Sequence, residues 1–310
     1  MTGYAFLLPN ILGFLAFVLI PVVVAFGLSL SDWDIVSPRG TIRYVGFDNF
    51  GRLFADSDFW QVSGSHTGYF WNTVVLMAGL PIGIVASLAL ALLLNQRLRG
   101  MIVFRTVLFL PTVSSAVALA LLWKWIYQPD LGLLNRCLYL AHLDVPLAWL
   151  LNALGVRISV PVEWLSNPAL AKPAFIIMLV WIAAGGYNCV LYLAGLQNIP
   201  SELYEAAEID GARAWARFRH VTWPLLSPTT FFIGVTGVIG GFQAGFTQAL
   251  MMTRGGPGRA TTTIIYHIYE VGFRDFRMGY AAAIAVILFA MILGLTLVNF
   301  WIGQRAVHYE

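Results

Sequence analysis

The fold class legible in this chain is all-α: a polytopic membrane protein with about six transmembrane helices. Composition is the first reason, because 59% of the 310 residues are hydrophobic and 11% charged, against about 45–50% and about 25% in soluble domains. The second is the mean hydropathy of +0.77. The third is the length of the apolar runs. A bilayer core of about 30 Å needs roughly 20 helical residues to cross it, and runs of that size recur along the whole chain.

The first run extends from about Tyr4 to Leu30, the second from about Asn72 to Leu94 and the third from about Thr106 to Tyr127. The fourth, fifth and sixth extend from about Pro173 to Leu196, Pro228 to Thr253 and Tyr280 to Gln304. Soluble core helices are shorter and need a polar face, which these runs lack. The first run is longer than a signal-peptide core and no basic residue precedes it between Met1 and Tyr4, so a retained span is expected. Pro9, Pro21, Pro81 and Pro111 interrupt the runs, and kinks rather than breaks are expected there. Ser114, Ser115 and the Gly185–Gly186 pair offer small surfaces where helices can approach closely.

Between the third and fourth runs lies the longest polar insert, 128–172, whose Trp149, Trp164 and prolines suggest an ordered cap on the outer face. Basic residues near spans favour the cytoplasm. Arg97, Arg99 and Arg105, with no acidic neighbour, place the connection between the second and third spans there, and with it both termini. Arg254, Arg259, Arg274 and Arg277 count against that orientation. The net charge of +3 says little, and no nucleic-acid partner is expected. Cys137 and Cys189 sit in unlike surroundings, which argues against a disulfide. His66, His142, His220, His267 and His308 are scattered without metal-ligand spacing.

One loop, 201–226, carries specific chemistry. It reads as two short helices: Ser201 as N-cap after Pro200, Glu202 and Glu205 at the positive end of the helix dipole, Gly211 ending the first helix, Ala214 to Val221 forming the second and Pro224 stopping it. Ala206 and Ala207 leave a thin surface for another protein, beside an apolar ridge of Trp215 and Phe218.

Glu205-Ala206-Ala207, three residues, Gly211, nine residues and then Val221-Thr222-Trp223-Pro224 resembles the cytoplasmic coupling motif of binding-protein-dependent ABC importer permeases. That motif runs Glu-Ala-Ala, three residues, Gly, nine residues, Ile-x-Leu-Pro; here Val221 stands for Ile and Trp223 for Leu. Leu8-Pro9, Val45-Gly46-Phe47-Asp48-Asn49-Phe50, Asn72-Thr73, Leu110-Pro111, Leu196-Gln197-Asn198-Ile199-Pro200, Gly255-Gly256-Pro257 and Thr261-Thr262-Thr263 extend the likeness to the carbohydrate branch, on the side of the maltose-type first permease subunit. The resemblance implies a type I ABC importer transmembrane domain over 1–310 in the bacterial inner membrane, with the 201–226 loop facing the cytoplasm. It also implies a second, unlike permease, two ATPase subunits, an extracytoplasmic solute-binding protein and a carbohydrate substrate. Glu205, Ala206, Ala207, Asp210, Gly211 and Pro224 are then the ATPase-coupling residues.

The chain cannot hydrolyse ATP itself. A phosphate-binding loop requires Gly-Lys-Ser/Thr, and the only lysines are Lys124 in Trp-Lys-Trp and Lys172 in Ala-Lys-Pro. ATP and magnesium belong to a partner, and no cofactor or catalytic group is assigned here. Sugars are held by amides and aromatic faces, which makes Trp181, Tyr187 and Asn188 in the fourth span and Gln243, Phe246 and Gln248 in the fifth the candidate substrate path. Two other classes are weighed against an importer. An ion-driven secondary transporter commonly carries central ionisable groups, which the spans lack; an intramembrane enzyme needs a nucleophile and base, which do not converge.

Overall fold

The computed structural model describes residues 2–33, 42–62, 68–96 and 100–306. Arg39, His66, Arg97, Arg99 and His308 lie outside them. The described chain divides into two compact units, one containing the residues up to Trp71 with Thr263–Met291, the other containing Asn72–Thr262 and the residues from Ile292.

In the first unit the leading span is continuous, as Thr2–Phe14, a π-helical turn Leu15–Leu19, and Ile20–Ser29. The π turn immediately precedes Pro21. A proline ring collides with the carbonyl four residues back, and a widened turn moves that carbonyl away. Past the span, Ser31–Asp32 pairs antiparallel with Arg43–Tyr44. The junction is tied by the buried Asn49, whose amide donates to the carbonyls of Ser29 (3.0 Å) and Ser31 (2.8 Å). Met278 N–H donates to the Trp33 carbonyl at 3.0 Å, and Tyr280 hydroxyl donates to Asp56 at 3.3 Å. Tyr69 stacks on His267 with ring centres 4.1 Å apart.

In the second unit the helix Gly79–Leu94 packs along Pro168–Gly185 and Tyr187–Gln197. Their core joins Leu88, Ala91 and Leu94 to Cys189, Tyr192, Leu193 and Leu196, with Leu226 just before the fifth span and Ile233 within it. Small residues permit this closeness: a Cβ on Gly83 would lie 3.1 Å from that of Ala183, and one on Gly237 would lie 2.5 Å from Leu80.

The third span differs from expectation. It is two helices, Met101–Val113 and Ala116–Ile126, bent by 105°. Ser114 and Ser115 are extended (ψ 146° and 135°) and form the break itself rather than a flat packing surface. Pro111, just before it, removes one donor from the last turn, so little is lost by ending the helix there. Among the described residues the apolar helices long enough to cross a membrane therefore number five, or six if this bent pair counts as one span.

The fourth and fifth spans are also interrupted, though each remains one membrane-length unit, Pro168–Gln197 and Ser227–Thr253. Gly186 is extended between helices ending at Gly185 and starting at Tyr187. Ala244 is extended and Gly245 left-handed (φ +86°) between Ser227–Gln243 and Phe246–Gln248. Close approach at the glycine pair is confirmed: a Cβ on Gly185 would lie 2.6 Å from the Leu108 carbonyl oxygen. The sixth span is one helix, Met278–Ala306.

The 128–172 insert holds two helices, Leu133–Leu140 and Asp144–Ala153. Asn135 organises it, donating to the carbonyls of Pro129 and Val162 at 2.9 Å each and accepting from the Trp164 indole at 2.8 Å. Trp164 is buried and Trp149 is not.

Candidate coupling site and transport path

The 201–226 loop folds into a helix, a glycine turn and a second helical stretch that runs on into the fifth span. The first helix is Ser201–Ile209. Its cap is Pro200 and no side chain closes it, so Ser201 is its first residue rather than its N-cap. Proline supplies the extended entry conformation without presenting a donor that needs a partner.

The helix ends where glycine was expected to end it. Gly211 has φ +77°; its N–H donates to the Glu208 carbonyl at 3.0 Å and the next N–H, of Ala212, reaches back to Ala207 at 2.8 Å. This pair of bonds is the Schellman arrangement, which satisfies two carbonyls that the helix end would leave bare.

The turn folds the second stretch back on the first. Arg217 pairs with Glu208, and the Tyr204 hydroxyl lies 3.0 Å from that of the buried Thr222. Trp215 and Phe218 stack, 5.4 Å between ring centres and 26° between planes, as the ridge predicted. Sequence reasoning missed both polar ties, although Glu208 and Arg217 are complementary charges on either side of the glycine and signal a folded-back loop.

Pro224 does not stop the second helix. Ala214–Arg217 continues through a π turn, Phe218–Thr222, into Trp223–Leu225 and then Ser227–Gln243, with Leu226 still helical in conformation. Trp223 N–H donates to Phe218, five residues back, and the widened turn relieves the proline as at Pro21. The consequence is mechanical: the loop is joined to the fifth span by unbroken helical backbone.

Glu205, Ala206, Asp210 and Gly211 are exposed, while Ala207 and Pro224 are half-buried. Beside them Ile209, which the motif does not include, is 87% exposed.

The candidate path residues are more dispersed. Trp181 packs edge-on against Trp123, 5.5 Å between centres. Tyr187 and Gln243 are exposed, Asn188 and Phe246 half-buried, and Gln248 is buried. The Gly186 and Ala244–Gly245 breaks put Trp181 on a different helical segment from Tyr187 and Asn188, and Gln243 on a different one from Phe246 and Gln248. Lys124 lies in the last turn of Ala116–Ile126, donating to the Met251 carbonyl at 3.2 Å.

A further polar knot was not foreseen as such. Asn72 donates to the carbonyls of Arg259 (2.9 Å) and Thr262 (2.8 Å), Thr261 donates to Gly256 (2.7 Å), and Thr262 donates to Gly255 (3.1 Å). Three stretches that carry the family likeness, around Asn72, Gly255 and Thr261, thus meet in one place.

Residues 79–308 match the family described as binding-protein-dependent transport system inner membrane component. The chain is 32% identical to the probable ABC transporter permease protein YesP of Bacillus subtilis (strain 168), over 100% of this chain and 93% of that protein. It is 35% identical to the lactose transport system permease protein LacF of Rhizobium radiobacter, over 98% and 95%. Among solved structures it is similar, with TM-score 0.78 and 26% identity over 98% of this chain and 96% of the other, to a chain of a bacterial ABC transporter involved in the import of the acidic polysaccharide alginate. The same likeness, TM-score 0.78 over 97% and 93%, holds for the alginate transporter in complex with its alginate-pentasaccharide-bound periplasmic protein. The chain belongs to the binding-protein-dependent transport system inner membrane component family, and it folds as a multi-pass type I ABC importer permease.

Proposed function

We propose that the protein is one of two unlike permease subunits of an ATP-driven importer for a sugar or oligosaccharide, moving its cargo by alternating access. Two ATPase subunits hold ATP and magnesium, and a solute-binding protein delivers the sugar from outside. The observation that carries this reading is the 201–226 loop, an exposed Glu205–Ala206 helix folded by Gly211 onto a backbone continuous with the fifth span. Seated in an ATPase cleft, that loop transmits nucleotide-driven closure to the fifth span as a rigid-body movement. Both termini and the loop then face the cytoplasm, and the 128–172 insert faces outward.

The sugar path is assigned to Trp181, Tyr187, Asn188, Gln243, Phe246 and Gln248, supported by amides and aromatic faces beside interrupted helices. Irregular backbone at membrane depth is tolerated where it is buried in protein or lines a cavity. No observation favours ion-driven transport. The test is uptake by vesicles carrying the reconstituted complex: the purified chain alone shows no ATP hydrolysis, while addition of its partners restores hydrolysis stimulated by the loaded solute-binding protein. Turnover by the isolated chain contradicts the assignment. Alanine at Asn188 or Gln243 lowers uptake without preventing assembly; normal uptake in both variants places the path elsewhere.

A further inference from the structure

The helix Asp144–Ala153 in the insert has the wrong surface for a cap in water. Val145, Pro146, Trp149, Leu150, Ala153 and the following Leu154 recur at one-and-four spacing and all point out of the fold. Trp149 is 72% exposed, Leu154 70% and Val145 63%. The inward face carries Leu147, Ala148 and Leu151. A helix apolar all round is normally buried or embedded in lipid, and here the outer half is not buried by its own chain.

Its charge is confined to Asp144 at the first position, and its one exposed amide is already occupied: Asn152 donates to the Ile158 carbonyl at 3.2 Å and accepts from the Ile158 N–H at 3.1 Å. Apart from the Trp149 indole N–H, the face therefore offers no side-chain polar group to a partner. A solute-binding protein that must detach in every cycle meets its receptor through a hydrogen-bonded, partly wet surface, which this is not.

Position in the chain identifies the occupant. The helix packs on Leu133–Leu140, which packs on Ala116–Ile126, the second half of the bent third span. That half-span exposes Val117, Leu121, Leu122 and Trp125; between it and Val145, Leu131, Leu133, Tyr139, Leu140 and Leu143 are exposed as well, Leu131, Tyr139 and Leu140 around a cavity that Arg136 and Asp144 also line. At about 1.5 Å per residue a ten-residue helix is about 15 Å long, half of what a crossing needs. Tryptophan and tyrosine are the residues enriched where acyl chains meet headgroups. Arg136 and Arg157, on either side of the helix in sequence, are exposed, and long basic side chains at a membrane interface keep their charged heads in the polar layer.

We propose that Asp144–Ala153 lies in the plane of the outer leaflet as an interfacial lipid anchor, its Val145, Trp149 and Leu150 side chains among the upper acyl chains. Membrane contact does not depend on the substrate or on the coupling loop; only the choice of leaflet rests on the orientation given above. The anchor fixes the depth of the insert, and through Leu133–Leu140 the bend of the third span, relative to the bilayer.

The test places single spin labels on the complete importer in phosphatidylethanolamine–phosphatidylglycerol nanodiscs. Cys137, exposed on the neighbouring helix, is first replaced (Cys137→Ser), and the buried Cys189 is kept. Labels at Trp149→Cys and Leu150→Cys are compared with Leu121→Cys on the third span and with Gln96→Cys, an exposed position in the short connection before the third span and outside the coupling residues. Collision with oxygen relative to a water-soluble nickel chelate is expected to be several-fold higher at 149 and 150 than at 96, and close to that at 121. Chelate access equal to that at 96 overturns the proposal by placing the face in water. Shielding from both reagents overturns it by placing the face under a protein partner. A membrane-impermeant thiol reagent is expected to spare Gln96→Cys in intact cells and to modify it once the membrane is permeabilised; modification in intact cells overturns the orientation and moves the anchor to the inner leaflet, whatever depth is measured.

Discussion

Gly211 is the residue on which the coupling reading turns. Its φ of +77° lies where only glycine, and to a lesser extent asparagine, resides without strain. A Cβ there would meet nothing within 4 Å, so a substitution acts through the backbone alone. Gly211→Val is expected to cost about 1–2 kcal/mol locally, too little to remove the protein from the membrane but enough to tilt Ser201–Ile209 in its seat. Gly211→Asn is expected to retain most uptake. Vesicle uptake that is equally normal, or equally lost, in both variants contradicts a conformational role. The glycine's spacing made this position legible in the sequence. Asn72 was legible only as part of a family likeness, because the carbonyls it binds lie some 190 positions away and no local pattern encodes such a pairing. Asn72→Leu leaves two carbonyls without their donor and is expected to lower stability by about 1–3 kcal/mol, seen as a lower thermal midpoint of the purified complex; an unchanged midpoint argues that water replaces the amide.

At the scale of the elements, the existence of the spans was plain and their continuity was not. Twenty apolar residues announce a crossing because lipid forces backbone groups to pair within the helix. A break, by contrast, is decided by two or three dihedral angles. Ser114 and Ser115 carry no mark that separates a flat packing surface from a hinge. Gly245 does carry one, since a glycine in an apolar run permits the left-handed turn that Phe246 follows. Pro224 misled in the opposite direction: expected to stop a helix, it lies in continuous helical backbone because a π turn precedes it, as one precedes Pro21, where no break was expected. That device keeps the loop and the fifth span mechanically joined. The fourth span meets the third through Gly185, whose Cβ position lies 2.6 Å from the Leu108 carbonyl oxygen. Gly185→Val forces Met101–Val113 and Pro168–Gly185 apart and is expected to cost about 1–3 kcal/mol, with loss of uptake exceeding loss of assembled complex. Full uptake shows that the two helices separate without consequence.

For the molecule as a whole, the proposed function divides the chain between a hydrophobic body that belongs to lipid and a small polar loop that would seat in a partner ATPase. The chain contains no phosphate-binding loop, and the proposed coupling surface is a helix of nine residues, Ser201–Ile209. The candidate site was legible in its motif residues, while the ion pair of Glu208 with Arg217, the Tyr204–Thr222 contact and the exposed Ile209 came only with three-dimensional structure. The central claim is that this loop couples ATP hydrolysis to transport. It is tested most directly by reconstituting the complete importer with wild-type chain or Gly211→Val and measuring sugar uptake, ATP hydrolysis and ATPase co-purification on the same vesicles. The account predicts that Gly211→Val abolishes uptake, either with loss of the ATPase or with hydrolysis that no longer drives transport. Wild-type uptake by vesicles carrying Gly211→Val would contradict it.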